Sequence, residues 1–235
     1  MEILQIAGLK GGYVPDVNIL QGIDLELRQG EVVGIIGLNG SGKSTLGKAV
    51  MNMIPYREGE IVFEGEPITH LSTSELARRG IAIMQQGGQV FRELSMWDNL
   101  QFAIGNKKNK FCIQELRSVI PIWGMPEKEL KRRMADKLSG GQRHQLALAM
   151  ALAGNPKLLI LDEPSAGLSP KAVEEMYRIL ELVRQKMHVT IVLIEQNINK
   201  AIGYCDCCLL LEQGNIKYKF VNKSMAEIES VMFKK

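Results

Sequence analysis

The chain opens with an alternation of apolar and polar positions. Residues 3–7 alternate, the pair Gly11-Gly12 follows, and residues 19–27 carry apolar side chains at Ile23, Leu25 and Leu27. This pattern predicts antiparallel strands joined by turns. Residues 31–37 (EVVGIIG) form a continuous apolar run ending in glycine, which predicts a buried strand. Residues 44–53 place Leu46, Ala49, Val50 and Met53 at helical spacing. A short strand at 61–63 with a turn at Gly65 comes next, then a helix over 72–79 opened by Ser72 or Thr73, with Glu75 close behind. Another buried strand fits 80–84. Between Gln86 and Gly154 the strand-like runs stop and helical spacing takes over, as in 111–120 and 127–134, broken by Pro121, Gly124 and Pro126. Strands return at 158–162 and 189–195, with a helix over 171–186 between them. The order is βαβ with an inserted helical lobe: 1–86 with 155–235 as the core lobe, 87–154 as the helical one.

Composition narrows the class. A chain of 235 residues, 46% hydrophobic and 23% charged, suits an ordinary globular protein with one sizeable core. The net charge of +3 argues against a dedicated nucleic-acid binder. The basic run 107–110 reads as a solvated loop. No apolar run approaches the roughly 18–20 residues that span a bilayer. The start, MEILQIAGLKGG, does not read as a signal peptide, so a cytosolic location is expected. Of the four cysteines, Cys205, Cys207 and Cys208 cluster as CDCC, yet zinc-type spacings are absent. They read as small buried hydrophobes in a reducing compartment, and Cys112 is the fourth cysteine.

Chemistry enters at GLNGSGKST, which fits G-x-x-x-x-G-K-[ST] between a predicted strand and a predicted helix. Gly37, Gly40 and Gly42, with Asn39 and Ser41 between them, let backbone N–H groups wrap a phosphate. The helix after Gly42 adds its positive end. Lys43 can reach the terminal phosphates, the Ser44 hydroxyl can ligate Mg²⁺, and Thr45 closes the motif. LLILDEP supplies a second element. Asp162 emerges at the carboxyl end of a central strand, where it can hold Mg²⁺ through water. The adjacent Glu163 can polarise a water for attack on the γ-phosphate.

A second glycine-rich loop, Leu138-Ser139-Gly140-Gly141-Gln142, precedes another helix-forming run. Ser139 is a natural N-cap and the two glycines leave N–H groups open, so the loop suits a second anion. One chain holds one phosphate loop of the first kind. A second copy turned head to tail would let each LSGGQ serve the other's γ-phosphate, with two ATP molecules bridging the dimer. A merely well-capped helix is the plain alternative.

Together, GLNGSGKST, LSGGQ and LLILDEP in this order resemble the nucleotide-binding subunit of an ABC transporter, over nearly the whole chain. The resemblance implies an α/β fold: a P-loop NTPase (RecA-like) core with an antiparallel β subdomain and an inserted α-helical subdomain. It implies ATP hydrolysis with Mg²⁺, membrane-spanning permease subunits as partners, a second ATPase subunit across the nucleotide, and a place on the cytoplasmic face of the membrane. It matches Tyr13 to the aromatic residue that stacks on adenine, and Gln86, with Gln85 as the neighbouring candidate, to the glutamine linking Mg²⁺ and the attacking water to the helical lobe. Residues 165–170 match the loop that touches the partner ATPase, and Phe91, Arg92, Leu94 and Trp97 are candidates for the contact with the membrane protein.

Two positions depart from that family's pattern. Ser169 stands where an aspartate is common, and Gln196 stands where a histidine usually meets the γ-phosphate. An amide can donate to a phosphate oxygen but cannot titrate near neutral pH. LDEPSAGLSP, IEQN and QVFRELSMWDNL together are similar to the ATPases of branched-chain amino-acid importers, whereas Gln85-Gln86-Gly87 replaces a common Pro-Glu-Gly. An exporter ATPase of lipopolysaccharide type and a soluble ABC-type ATPase of metal-cluster assembly are the other expectations.

Overall fold

The structure is a computed structural model that describes residues 1–105, 113–221, 228, 230 and 231. Phe111, Cys112 and the basic run 107–110 lie outside the described residues. In chain order the elements are β1 (Glu2–Gly12), β2 (Leu20–Arg28), β3 (Val32–Ile36), α1 (Lys43–Val50), β4 (Tyr56–Phe63), β5 (Glu66–Pro67), α2 (Thr73–Arg79), β6 (Ile81–Met84), α3 (Met96–Ile104), α4 (Ile113–Val119), α5 (Glu127–Arg132), α6 (Gly140–Leu152), β7 (Leu158–Asp162), α7 (Pro170–Met187), β8 (Thr190–Ile194), α8 (Ile198–Tyr204), β9 (Cys207–Glu212) and β10 (Asn215–Val221). By packing, the chain divides into two compact units, 1–76 with 190–235, and 77–189.

The first unit holds an antiparallel sheet in the order β2-β1-β4-β5. In β2, Leu20, Ile23, Leu25 and Leu27 are buried while Gln21, Asp24, Glu26 and Arg28 face solvent, so the alternation in the sequence is a sheet with one wet face. A second set places β3 between β8 and β9, parallel to both, with β10 antiparallel on β9. All five residues of β3 and all five of β8 are buried, which explains why both read as unbroken apolar runs. The β9–β10 turn is tied to β2 by Gln21 N donating to Gly214 O at 2.9 Å.

In the second unit β6 and β7 pair in parallel, with Met84 opposite Leu161. Between them in sequence come α3, α4, α5 and α6 and no strand among the described residues, as the change of period predicts. The 18-residue α7 buries Met176, Ile179, Leu180 and Val183, one stripe at helical spacing. Trp123 is completely buried in the 3₁₀ turn that follows α4.

Several boundaries differ from the sequence reading. α1 stops at Val50, because Asn52 takes a left-handed φ of 51°. α5 ends before Arg133, which is extended. β4 begins at Tyr56 rather than near 61, since its exposed half carries Arg57, Glu58 and Glu60 and lacks an apolar signal. β10, with Lys217, Tyr218 and Lys219 exposed, is hidden for the same reason. Among the described residues no helix is long and apolar enough to cross a membrane.

Candidate functional site: a phosphate loop, a carboxylate pair and a capped glycine loop

β3 delivers the phosphate loop. Its first residue, Gly37, has φ 152°, and a Cβ there would lie 2.2 Å from the backbone oxygen of Leu211, so no larger residue fits. At φ 103°, Gly42 is the N-cap of α1 and supplies no side-chain cap. The first turn of α1 holds no acidic residue, so its uncapped N–H groups present a positive end. Lys43 is buried, and its Nζ donates to the carbonyls of Gly37 at 2.9 Å and Leu38 at 3.0 Å. The lysine thus lies across the loop it belongs to. The Ser41 hydroxyl is buried with no hydrogen-bond partner. A buried orphan hydroxyl costs free energy unless something meets it, and an anion in the loop would. Gly40, at φ 80°, lies between Asn39 and Ser41, while Ser44 and Thr45 lie in the first turn of α1. The chemistry of the loop is that of a phosphate cradle.

Two further sequence candidates belong to this unit. Tyr13 follows β1, is 43% exposed as a residue, and has the Lys48 ammonium of α1 5.9 Å from its ring centroid. That leaves an aromatic face available beside α1. Gln196 is exposed between β8 and α8, whose N-cap is Asn197. Beside it stands a residue the pattern reading passed over. Glu195 is 2% exposed, takes a backbone N–H from Asn197 at 3.4 Å on one oxygen, and has no partner on the other. A carboxylate closing the otherwise apolar run TIVLIE was the signal.

The second unit carries the carboxylates. Asp162 is the buried last residue of β7, and Glu163 follows with φ 48°. A non-glycine residue in that region stores strain, a feature that concentrates at functional positions. Gln86 Nε2 donates to Glu163 Oε2 at 2.8 Å. The register explains this bond. Met84 pairs with Leu161, so Gln86 and Glu163 each lie two residues beyond the paired ends of parallel strands. Of the two glutamines, Gln86 is the one bonded to the carboxylate.

The glycine loop leads into α6. Ser139 is its N-cap: Gln142 N donates to Ser139 Oγ at 3.3 Å, and Ser139 N donates to Gln142 Oε1 at 3.1 Å. This is a complete capping box. Gln142 Oε1 also accepts from Arg133 Nη2 at 3.3 Å. Gly140 and Gly141 start the helix, no acid occupies its first turn, and the Gly140 carbonyl bonds His144 Nδ1 at 3.0 Å. His144 is buried and packs on Gly88, whose added Cβ would meet the ring at 2.9 Å. The ring therefore wedges the loop after Gln86 against the helix after LSGGQ. Burial holds the His144 pKa below its ordinary value, and the Arg143 cation adds to this, with the Gly140 hydrogen bond opposing.

Two remaining candidate groups have clear structural partners. Ser169 caps α7, its Oγ accepting from Ala172 N at 3.4 Å. Serine before proline at a helix start was a legible signal. Phe91 and Arg92 are exposed, and Leu94 and Trp97 half-buried. Phe91 packs edge-on to Phe102 at 4.6 Å, and Trp97 has Lys131 5.0 Å from its ring. Asn99, fully buried and unnoticed in the sequence, fixes this loop by accepting from Phe91 N at 2.8 Å and donating to Phe91 O at 2.9 Å.

As to magnesium, the residues that the sequence offers are oxygen donors, a hydroxyl on Ser44 in the first unit and a carboxylate on Asp162 in the second, and each suits a hard cation. Among the described residues no three His, Cys, Asp or Glu side chains gather into a metal site. Such a sparse donor set fits Mg²⁺, which keeps waters and takes phosphate oxygens, and does not fit a resident all-protein cage.

Known proteins carry the same pattern. The ABC transporter family matches residues 20–166. The high-affinity branched-chain amino acid transport ATP-binding protein BraG of Pseudomonas aeruginosa is 35% identical over 207 residues, 87% of each chain. The lipopolysaccharide export system ATP-binding protein LptB of Escherichia coli K12 is 32% identical over 200 residues, 85% of this chain and 83% of its own. A crystal structure of a nucleotide-free ATP-binding cassette from an ABC transporter superposes with a TM-score of 0.82 at 26% identity, covering 100% of this chain and 96% of that one. The chain therefore belongs to the ABC transporter family, as an ATP-binding subunit with the ABC ATPase fold.

Proposed function

We propose that this chain hydrolyses ATP to drive uptake of branched-chain amino acids through separate membrane-spanning subunits, from the cytoplasmic face of the membrane. The observation that carries the hydrolytic part is the Gln86–Glu163 hydrogen bond of 2.8 Å at the ends of paired parallel strands. It holds a carboxylate in one orientation beyond the strand ends, where α/β sheets do their chemistry.

The roles follow from the groups. The phosphate loop at 37–45 wraps the phosphates with N–H groups, and Lys43 exchanges its bonds to Gly37 and Leu38 for phosphate oxygens. Ser41 Oγ finds in the phosphate the partner it lacks. Tyr13 stacks on the adenine, a contact of about 1–3 kcal/mol. Ser44 and Asp162 are the residues that would hold Mg²⁺, and Gln86 would be a further oxygen donor to it. When bound, the ion neutralises charge on the phosphate oxygens. Glu163 orients and polarises the attacking water, and Gln196 donates its amide to a γ-phosphate oxygen. Ser139, Gly140, Gly141 and Gln142 of a second ATPase subunit, a copy of this chain or a related one, meet the same γ-phosphate, so ATP closes the pair and hydrolysis reopens it. Phe91, Arg92, Leu94 and Trp97 receive the membrane subunit.

The substrate rests on the similarity to BraG and on the IEQN and LSP sequences. A second reading, an ATPase of lipopolysaccharide export, is favoured by the nearly equal identity to LptB. Affinity purification of the tagged chain from gently solubilised source membranes tests both. A multi-span permease with a second, different ATPase supports amino-acid uptake, and partners that carry lipopolysaccharide support the second reading. Soluble partners alone, from a preparation that retains other membrane complexes, contradict the transport role.

A further inference from the structure

The CDCC cluster plays no part in the ATP chemistry, yet its geometry is specific. Cys205 is the C-cap of α8, and Cys208 lies in β9, paired with Gly34 of β3. Both sulfurs turn to the same spot. A Cβ added to Gly34 would meet Cys205 Sγ at 3.0 Å and Cys208 Sγ at 3.0 Å, and the two thiols share a hydrogen bond. Only a glycine at 34 leaves room for the pair. Cys207, between them in sequence, points the other way, with its Sγ 3.7 Å from Glu31 Oε1. Asp206 pins the intervening turn to β3: its N–H donates to Val32 O at 2.8 Å, and its Oδ2 accepts from Val32 N at 2.9 Å. The backbone is thereby fixed so that the first and fourth residues of a C-x-x-C sequence meet and the third is excluded.

We propose that Cys205 and Cys208 are a thiol pair oxidised by hydrogen peroxide to an intramolecular disulfide, a reversible modification site at the strand that leads into the phosphate loop. The two sulfurs differ in character. Cys208 accepts the Cys205 S–H, which lowers its pKa despite burial, while that same bond and burial raise Cys205. Cys207 is pushed up to about 11 by burial and the Glu31 carboxylate, and so stays a thiol. Cys208, having lost its proton, attacks one peroxide oxygen. The O–O bond breaks, and the departing hydroxide takes up that proton as water, leaving a sulfenic acid on Cys208. Cys205 sulfur then attacks Cys208 sulfur. The S–S bond forms, the S–O bond breaks, and the hydroxyl leaves with the Cys205 proton as a second water. Two thiols have lost two electrons and one peroxide has been reduced. Peroxide is little larger than water, which suits a pair this close to the core.

The test treats the purified full chain with a few equivalents of hydrogen peroxide and follows it by intact mass, thiol titration and peptide mapping. The expected result is a loss of 2 mass units, a fall from four titratable thiols to two, a Cys205–Cys208 cross-linked peptide, and full recovery with dithiothreitol. Cys205→Ser should give no intramolecular bond and should stop at the sulfenic acid, trapped by dimedone on Cys208. Cys207→Ser and Cys112→Ser should each still lose 2 mass units. A disulfide that includes Cys207 or Cys112, or a chain that keeps four thiols while free cysteine in the same tube is consumed, overturns the proposal.

Discussion

Glu163 carries two demands that one substitution pair can separate. Its carboxylate is assigned to the water, and its backbone sits at φ 48°. Glu163→Ala removes the carboxylate and keeps a Cβ in the strained region. Glu163→Gly removes both. A left-handed conformation costs an L-residue about 1–2 kcal/mol. Glycine returns about 0.4–1 kcal/mol of that through the freer unfolded chain. The net advantage of glycine over alanine is therefore about 1 kcal/mol, or about 2–4 °C in Tm for a chain of this size. Catalysis moves differently. Loss of a general base lowers turnover by about 10²–10⁴-fold, and equally in both variants. The assays are phosphate release with the partner subunits present and thermal melting of the purified chain. Turnover of Glu163→Ala within threefold of the parent would refute the role of the carboxylate. A glycine variant no more stable than the alanine one would refute the strain.

Gln86→Ala removes the bond that orients Glu163 and should lower turnover about 10–100-fold in phosphate release with the partner subunits present, since a hydrogen bond to a charged group is worth about 1.5–3 kcal/mol. Lys43→Ala should weaken ATP binding by about 10–100-fold in a fluorescent-nucleotide titration, since charge-assisted bonds are worth about 1.5–3 kcal/mol. Ser139→Ala breaks the capping box of α6 and should cost about 1 kcal/mol, read as a fall of about 2–4 °C in Tm. His144 has a native pKa below its unfolded value of about 6.5, so the unfolded chain binds the proton more readily. Stability should fall as pH drops below about 6.5 and level off below the native value. Melting curves from pH 7.5 to 5 should show this slope reduced in His144→Gln, and an equal slope in both would contradict it.

Much of the architecture was legible because its signals are local. The unbroken apolar runs of β3, β7 and β8 announce strands buried on both faces, and GLNGSGKST states its chemistry in nine residues. Ser139 could be read as a cap from the glycines and apolar stripe that follow it. What escaped is what depends on partners distant in sequence. β10 and the first half of β4 lie at exposed positions where pairing, not side-chain pattern, makes the strand. Asn99 looks like an ordinary helical polar residue until its bonds to Phe91 are seen. The resemblance put Gln86 first with Gln85 beside it, but the bond from Gln86 to Glu163 came into view only with the β6–β7 register. Glu195 and the facing sulfurs of Cys205 and Cys208 were visible as residues but not as neighbours.

The most direct measurement is labelled leucine uptake and ATP hydrolysis, counted together, in proteoliposomes that hold the chain with the membrane subunits purified alongside it. The account predicts ATP-dependent leucine accumulation that disappears, together with phosphate release, when Glu163→Gln replaces the parent chain. Leucine accumulation that is the same with Glu163→Gln, or ATP hydrolysis that proceeds while no leucine moves, would contradict it.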